Sequence, residues 1–247
     1  MRFLFIIFTT ILSAIGCAQS EAQANACTDI SYMDANYTVC RFDARADRIK
    51  LYLKDASNIP YGNFSKLANA LEMDGQILSF AMNGGMYHQD RSPAGLYIEE
   101  GRQTQKINTN DGPGNFHLLP NGVFVVHQGG AAVMQSAQYL LAKFPNPAFA
   151  TQSGPMLVID GKLHPKFDAN STSLNIRNGV GVDGDKIFFA ISNEKVNFHS
   201  FASLFKDHLG TPNALFLDGA VSKLYAPGLK RNDSGAPMGP IIAVVEK

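Results

Sequence analysis

Two apolar runs in this chain break off into polar residues beside glycine. Asn83-Gly84-Gly85 follows the run Ile77–Met82, and Asp218-Gly219 follows Asn213–Leu217. Runs of this length read as buried strands, so each junction places an amide or a carboxylate where a strand leaves the core. A carboxylate there can activate water or stabilise a cationic transition state, and glycine allows a ligand to approach the backbone closely. Turn formation is the competing reading, because the chain holds eight Asn-Gly or Asp-Gly pairs, starting at 74, 83, 111, 121, 160, 178, 183 and 218. The pairs at 121, 160 and 183 lie between apolar runs and read as hairpins. After Asn83 and Asp218 no strand resumes at once: Tyr87, His88 and Asp90 follow the first, Ser222 and Lys223 the second.

The elements that must position these residues are mostly strands. Short apolar runs recur at Tyr37–Val39, Ile49–Leu53, Leu96–Ile98, Val123–Val126, Met156–Ile159, Ile187–Ile191 and Ile241–Val245, beside the two already named. Helical spacing is confined to a few segments. Phe198, Phe201, Ala202, Phe205 and Leu209 form a stripe within 197–209, stopped by Gly210 and Pro212; Phe64, Leu67, Ala68 and Leu71 form another within 63–73; 136–144 is a weaker third. The Phe stripe reads as core. The pattern predicts a single α+β domain, a mixed, largely antiparallel sheet with a few packed helices. The polar loop 106–115 has the length of a binding loop.

At 247 residues, 45% hydrophobic and 17% charged, the chain can bury a substantial core. Equal numbers of basic and acidic residues, 21 each, without a basic block, argue against nucleic acid and for a small or uncharged partner. Arg2 and the apolar stretch Phe3–Ile15 predict an export signal over 1–17, followed by a polar tether over 18–26 and the folded domain over 27–247. Cys17 is a candidate for lipid attachment, which would place the protein at the periplasmic face or cell envelope; cleavage near Ala24 or Ala26 would release it instead. With Cys17 lipidated or removed, Cys27 and Cys40 remain, either as a disulfide or as two free thiols.

Taken together, Ala81–Met86, Ser92–Gly95, Gly114–Phe116, Gln152–Pro155 with Asp160-Gly161, Arg177–Gly181, and Leu217–Gly219 with Ser222 resemble, in order and spacing, the phosphodiester glycosidase family. That family includes the lysosomal uncovering enzyme and exported bacterial proteins. The resemblance runs from about Thr38 to Val245 and implies a hydrolase that cleaves a sugar phosphodiester at the anomeric carbon, with a glycan phosphodiester as substrate and no metal or other cofactor. It implies Asp218, Arg177 and His88 as catalytic, Arg177 as a fork on phosphate, with Asn83, Gly84, Gly85, Asn115, Ser153, Gly154, Gly219 and Ser222 binding substrate. The family pattern continues after Asp-Gly with another Gly and a Ser-Ser or Ser-Thr pair, whereas this chain has Ala220, Val221, Ser222 and Lys223. Two other readings fit the same loops. Asp218, His88, Asp90 and Asp111 could hold a metal that directs attack at phosphorus, or the altered loop could leave a carbohydrate-binding envelope protein without catalysis.

Overall fold

The computed structural model describes residues 26–142, 144, 146–218 and 220–247. Chain order runs β1 (Cys27–Tyr32), β2 (Ala35–Asp43), β3 (Ile49–Tyr52), helix α1 (Phe64–Met73), β4 (Ile77–Asn83), β5 (Tyr97–Glu99) and β6 (Arg102–Gln105). Then come β7 (Gly122–His127), β8 (Gly130–Gln135), α2 (Ser136–Ala142), β9 (Phe149–Ser153), β10 (Met156–Ile159) and β11 (Lys162–Leu163). The last third holds β12 (Asn178–Asp183), β13 (Lys186–Ser192), α3 (Phe198–Ser203), β14 (Asn213–Asp218), β15 (Leu224–Ala226), β16 (Arg231–Asn232) and β17 (Ile241–Glu246).

These strands form three sheets, ordered β1-β2-β13-β12-β14-β10-β11, β16-β15-β4-β17-β3 and β6-β5-β9-β7-β8. The ladders between them are antiparallel. The single expected sheet is therefore divided, and the division follows from period-two burial. Ile242 and Val244 of β17 face the common core with Phe80, Phe124, Phe189 and Leu215, while Ile241, Ala243 and Val245 face outward onto α1.

Each outer face is covered by one of the expected helices. Asn63 caps α1 by accepting the Lys66 amide, and Phe64, Leu67 and Leu71 bury its apolar stripe. Full burial of a side chain such as Leu67 contributes roughly 1.5–3 kcal/mol. Asn197 caps α3 in the same way through Ser200, and a wider π-helical turn, Leu204–His208, carries the Phe stripe to Gly210. Phe201 and Phe205 are fully buried against the seven-stranded sheet, so the stripe is core.

Cys27 and Cys40 face one another across the β1–β2 ladder and form a disulfide, which removes the free-thiol alternative. Cys17, the signal segment and the tether lie outside the described residues. The Asp160 and Asp183 pairs close hairpins as expected. Asn121-Gly122 does not: Gly122 opens β7, and the Asn121 amide donates to the Phe116 carbonyl at 3.1 Å, so this pair fastens a loop to a strand start.

Candidate active site

Asn83 ends β4 in the five-stranded sheet of β17, and Asp218 ends β14 in the seven-stranded sheet. Asn178, the first residue of β12, joins them. Its Nδ2 donates to Asn83 Oδ1 at 2.8 Å, and its Oδ1 accepts the Asp218 amide at 3.0 Å. Asn83 Oδ1 also accepts the Lys223 amide at 2.8 Å. All three residues are buried, so the cluster is a polar seam between two sheets, held by hydrogen bonds that low dielectric strengthens.

The Asp218 carboxylate accepts the Ala220 amide at 2.9 Å, and the Ser222 hydroxyl donates to the Asp218 carbonyl at 2.6 Å. The residues after the strand end thus fold back over the acid. Tyr87 stands near it: burial first, and then the negative charge of Asp218, push the Tyr87 phenol up from its ordinary value. Its hydroxyl donates to the Pro237 carbonyl at 3.0 Å, and the Arg91 guanidinium lies 5.3 Å over its ring.

Other expected site residues turn out to shape the seam. Gly84 sits where a Cβ would come within 3.0 Å of the Ile242 amide nitrogen, and its own N–H donates to the Pro240 carbonyl at 2.7 Å. The amide of Gly84, expected among the substrate-binding residues, is therefore occupied within the fold. Gly85 adopts φ +140°, and a Cβ there would meet Thr151 Oγ1 at 2.7 Å. Ser153 is buried and donates to the Leu217 carbonyl at 2.7 Å, tying β9 to the strand that carries Asp218. Gly154 packs where a Cβ would lie 2.8 Å from the Phe116 carbonyl, beneath the turn that Asn115 opens; the Asn115 side chain is exposed. His88 is exposed on the loop after Tyr87. Gly219 lies outside the described residues.

Arg177 has a different setting from the expected fork on phosphate. Its Nε donates to the Val196 carbonyl and its Nη2 to the Ser173 carbonyl, both at 2.9 Å, and its guanidinium lies 3.6 Å over the Phe198 ring. The side chain is 1% exposed, and burial pulls its pKa down to about 10. This is a buried clamp joining the loop before β12 to the start of α3, because strand alternation sends Asn178 to the seam and Arg177 the other way.

Asn178, Tyr87 and Gln152 were not singled out from the sequence. Asn178 stands inside the Arg177–Gly181 motif, but its Asn-Gly pair reads as one more turn. Gln152 fastens the 106–115 loop, donating to the Asn108 carbonyl at 2.6 Å and accepting the Asn108 amide at 2.8 Å. Beside the seam, the Ala220–Lys223 turn borders an open cleft of about 730 Å³ whose lining also includes Asn175, Asn193 and Arg231. Among the described residues, no group of three or more His, Cys, Asp or Glu side chains is gathered in metal-holding proximity.

Residues 77–245, which contain Asn83, Asn178 and Asp218, match the phosphodiester glycosidase (NAGPA) family. The chain belongs to that family. It is 35% identical over 209 residues to the uncharacterized protein YigE of Escherichia coli K12, spanning 83% of this chain and 81% of YigE. Its fold matches the zebrafish N-acetylglucosamine-1-phosphodiester alpha-N-acetylglucosaminidase catalytic domain, auto-inhibited by its pro-peptide, at a TM-score of 0.62 and 14% identity, covering 90% of this chain and 82% of the zebrafish chain. A hypothetical protein from Synechocystis matches at a TM-score of 0.51 and 13% identity, covering 90% of this chain and 61% of that one. Membership in this glycosidase family supports a hydrolase, and the likeness to the zebrafish domain establishes the shared α+β fold.

Proposed function

We propose that this protein is an exported hydrolase that cleaves a sugar phosphodiester at the anomeric carbon, acting on envelope or extracellular glycans. The observation that carries the reading is the convergence of Asn83, Asn178 and Asp218 on one buried seam inside the segment that matches the family. A phosphate ester is a good leaving group, so the reaction needs a strong general acid less than ordinary glycoside hydrolysis does. It needs a carboxylate near the anomeric carbon, and Asp218 supplies one, held in orientation by the Ala220 amide. The Tyr87 phenol, whose pKa is raised, stays uncharged at neutral pH near that acid, with its O–H held by the Pro237 carbonyl. Asn115 and Ser222 border the approach as hydrogen-bonding groups for substrate hydroxyls. His88 lies on the exposed loop next to Tyr87. Arg177 acts by positioning: its clamp holds the residue next to Asn178 and so the geometry of the seam.

The reading of export is supported by the apolar segment Phe3–Ile15, and the disulfide suits an oxidising compartment. Lipid on Cys17 would anchor the mature protein at the envelope, with a polar tether before the domain.

Hydrolysis of an N-acetylglucosamine phosphodiester in heavy-oxygen water tests the reaction, with mass analysis of both products. Label in the sugar is the expected result. Label in the phosphate would mean attack at phosphorus and overturn the glycosidase reading, and saturable glycan binding without any product would place the protein among non-catalytic binders.

A further inference from the structure

The cleft beside the Ala220–Lys223 turn has a volume of about 730 Å³, several times that of a phosphate ion and within the range of sites for ligands of many atoms. Its lining includes three basic residues, Lys195, Lys223 and Arg231, and one acidic residue, Asp233. Arg231 and Asp233 satisfy each other. The guanidinium Nε lies 3.1 Å from both carboxylate oxygens and Nη2 2.9 Å from one of them. Arg231 Nη1 is held by Asn193 Oδ1 at 2.7 Å and Thr38 Oγ1 at 2.9 Å.

Lys223 differs. It is 6% exposed, and among the described residues its ammonium has one acceptor, the Ala236 carbonyl. An ammonium carries three N–H groups, so two are left for a ligand. Burial pulls its pKa down, and the charge of Asp233 opposes that shift. Lys195 adds a second, exposed cation at the rim. Through its backbone amide on Asn83 Oδ1, Lys223 also belongs to the seam, so a ligand in the cleft is continuous with the turn over Asp218.

We infer that this cleft is an anion subsite for a phosphate-bearing polyol chain extending from the far side of the scissile phosphodiester. The inference rests on the reading of Asp218 as the site of sugar-phosphodiester cleavage. A single phosphate would leave most of the volume unfilled, and an uncharged oligosaccharide would leave the Lys223 ammonium without a counter-charge. A phosphorylated polyol supplies hydroxyls for Asn175 and Asn193 together with phosphates for the two lysines.

The test is calorimetric titration of a glycerol phosphate trimer into the mature protein; the trimer has no anomeric carbon, so binding is read without turnover. Lys223→Met, which keeps the buried stem and removes the charge, is expected to weaken binding by about tenfold or more, and Lys195→Gln by a smaller factor. Added salt should weaken it further, most for the exposed lysine. Trimer binding unchanged by both substitutions and by salt would overturn the proposal, as would equal binding of a neutral glucose oligomer. Capture on phosphatidylglycerol vesicles with no trimer binding would also overturn it, assigning the anion to a lipid surface. If Lys223→Met fails to fold, the Lys195→Gln and salt series decide. Binding of the trimer by a wild-type protein that hydrolyses no sugar phosphodiester would sink the activity and leave the subsite, whereas hydrolysis without trimer binding would do the reverse.

Discussion

Asn178 holds more of the site together than either strand end that the sequence pointed to. Replacing it with Ala would leave the buried Asp218 N–H without its acceptor and Asn83 Oδ1 with the Lys223 amide as its remaining donor, at a cost of roughly 1–3 kcal/mol in unfolding free energy. Turnover at a temperature where the variant is fully folded should fall further than that loss explains, because the carboxylate loses its fixed strand end. Denaturant titration beside steady-state kinetics separates the two effects. Asp218→Asn should keep the fold and abolish turnover; wild-type-like rates in a folded Asp218→Asn protein would remove this residue from the reaction. A pH effect resides in His164, whose Nε2 lies 3.1 Å from the Leu119 carbonyl while Nδ1 accepts the Lys166 amide at 3.2 Å, an arrangement that suits the neutral ring. Burial pulls its pKa below the ordinary 6.5, with Lys166 adding to the shift and the Leu119 carbonyl opposing it. The unfolded chain then takes up the proton first, so stability should fall as pH drops below about 6.5, and His164→Gln should flatten that slope. Asn83 and Asp218 were legible because no strand follows them; Asn178 was hidden because seven other Asn-Gly or Asp-Gly pairs in the chain offered turns as the simpler reading.

At the scale of elements, the strand that carries Asn178 explains both its own invisibility and the path of Arg177. β12 reads Asn-Gly-Val-Gly-Val-Asp, with glycines on the face under α3. A Cβ on Gly181 would lie 2.7 Å from Phe205 Cδ1 and Thr211 Oγ1, and one on Gly179 would meet the Leu215 carbonyl at 2.8 Å. Close approach of α3 and β14 therefore requires glycine, and a strand with glycine at alternate positions shows no apolar run. Gly181→Ala should cost about 1–3 kcal/mol by overpacking, read as a lower urea midpoint with unchanged slope. Arg177 lies on the same outward face, clamping the entry to α3. Arg177→Lys keeps the charge and loses the planar stack on Phe198 and the fork to two carbonyls, so the melting temperature and kcat should fall together. A rise in KM with an unchanged melting temperature would instead reveal direct contact with phosphate. The helices were readable because their stripes are local. The division into three sheets was not, since pairs such as β2 with β13 join residues far apart in sequence, and nothing in either strand alone names its partner.

For the molecule as a whole, the site sits where two sheets meet, and its strands β12 and β14 are interior to the seven-stranded sheet. The disulfide lies elsewhere. It fastens β1, the edge strand, to β2, and β2, β13 and β12 stand between that edge and the strand bearing Asp218. A strand-rich fold was legible from the recurrent apolar runs, and the Cys27–Cys40 pairing from cysteine count; the distance of that bridge from the site was not, because it depends on sheet order. With a sequence separation of 13 between the two cysteines, the cross-link should contribute roughly 3 kcal/mol by restricting the unfolded chain. Replacing both cysteines with Ala should lower the unfolding free energy by about that amount, and mild reduction of the wild-type protein should match it. Turnover measured well below the lowered melting temperature should persist, since the bridge ties only the edge strand and the seam lies between the two sheets that carry Asn83 and Asp218. Loss of turnover in a double variant whose circular dichroism and unfolding cooperativity remain native would show that the edge strand governs the seam through the sheet, and would move the β1 strap from a stability element into the machinery of the site.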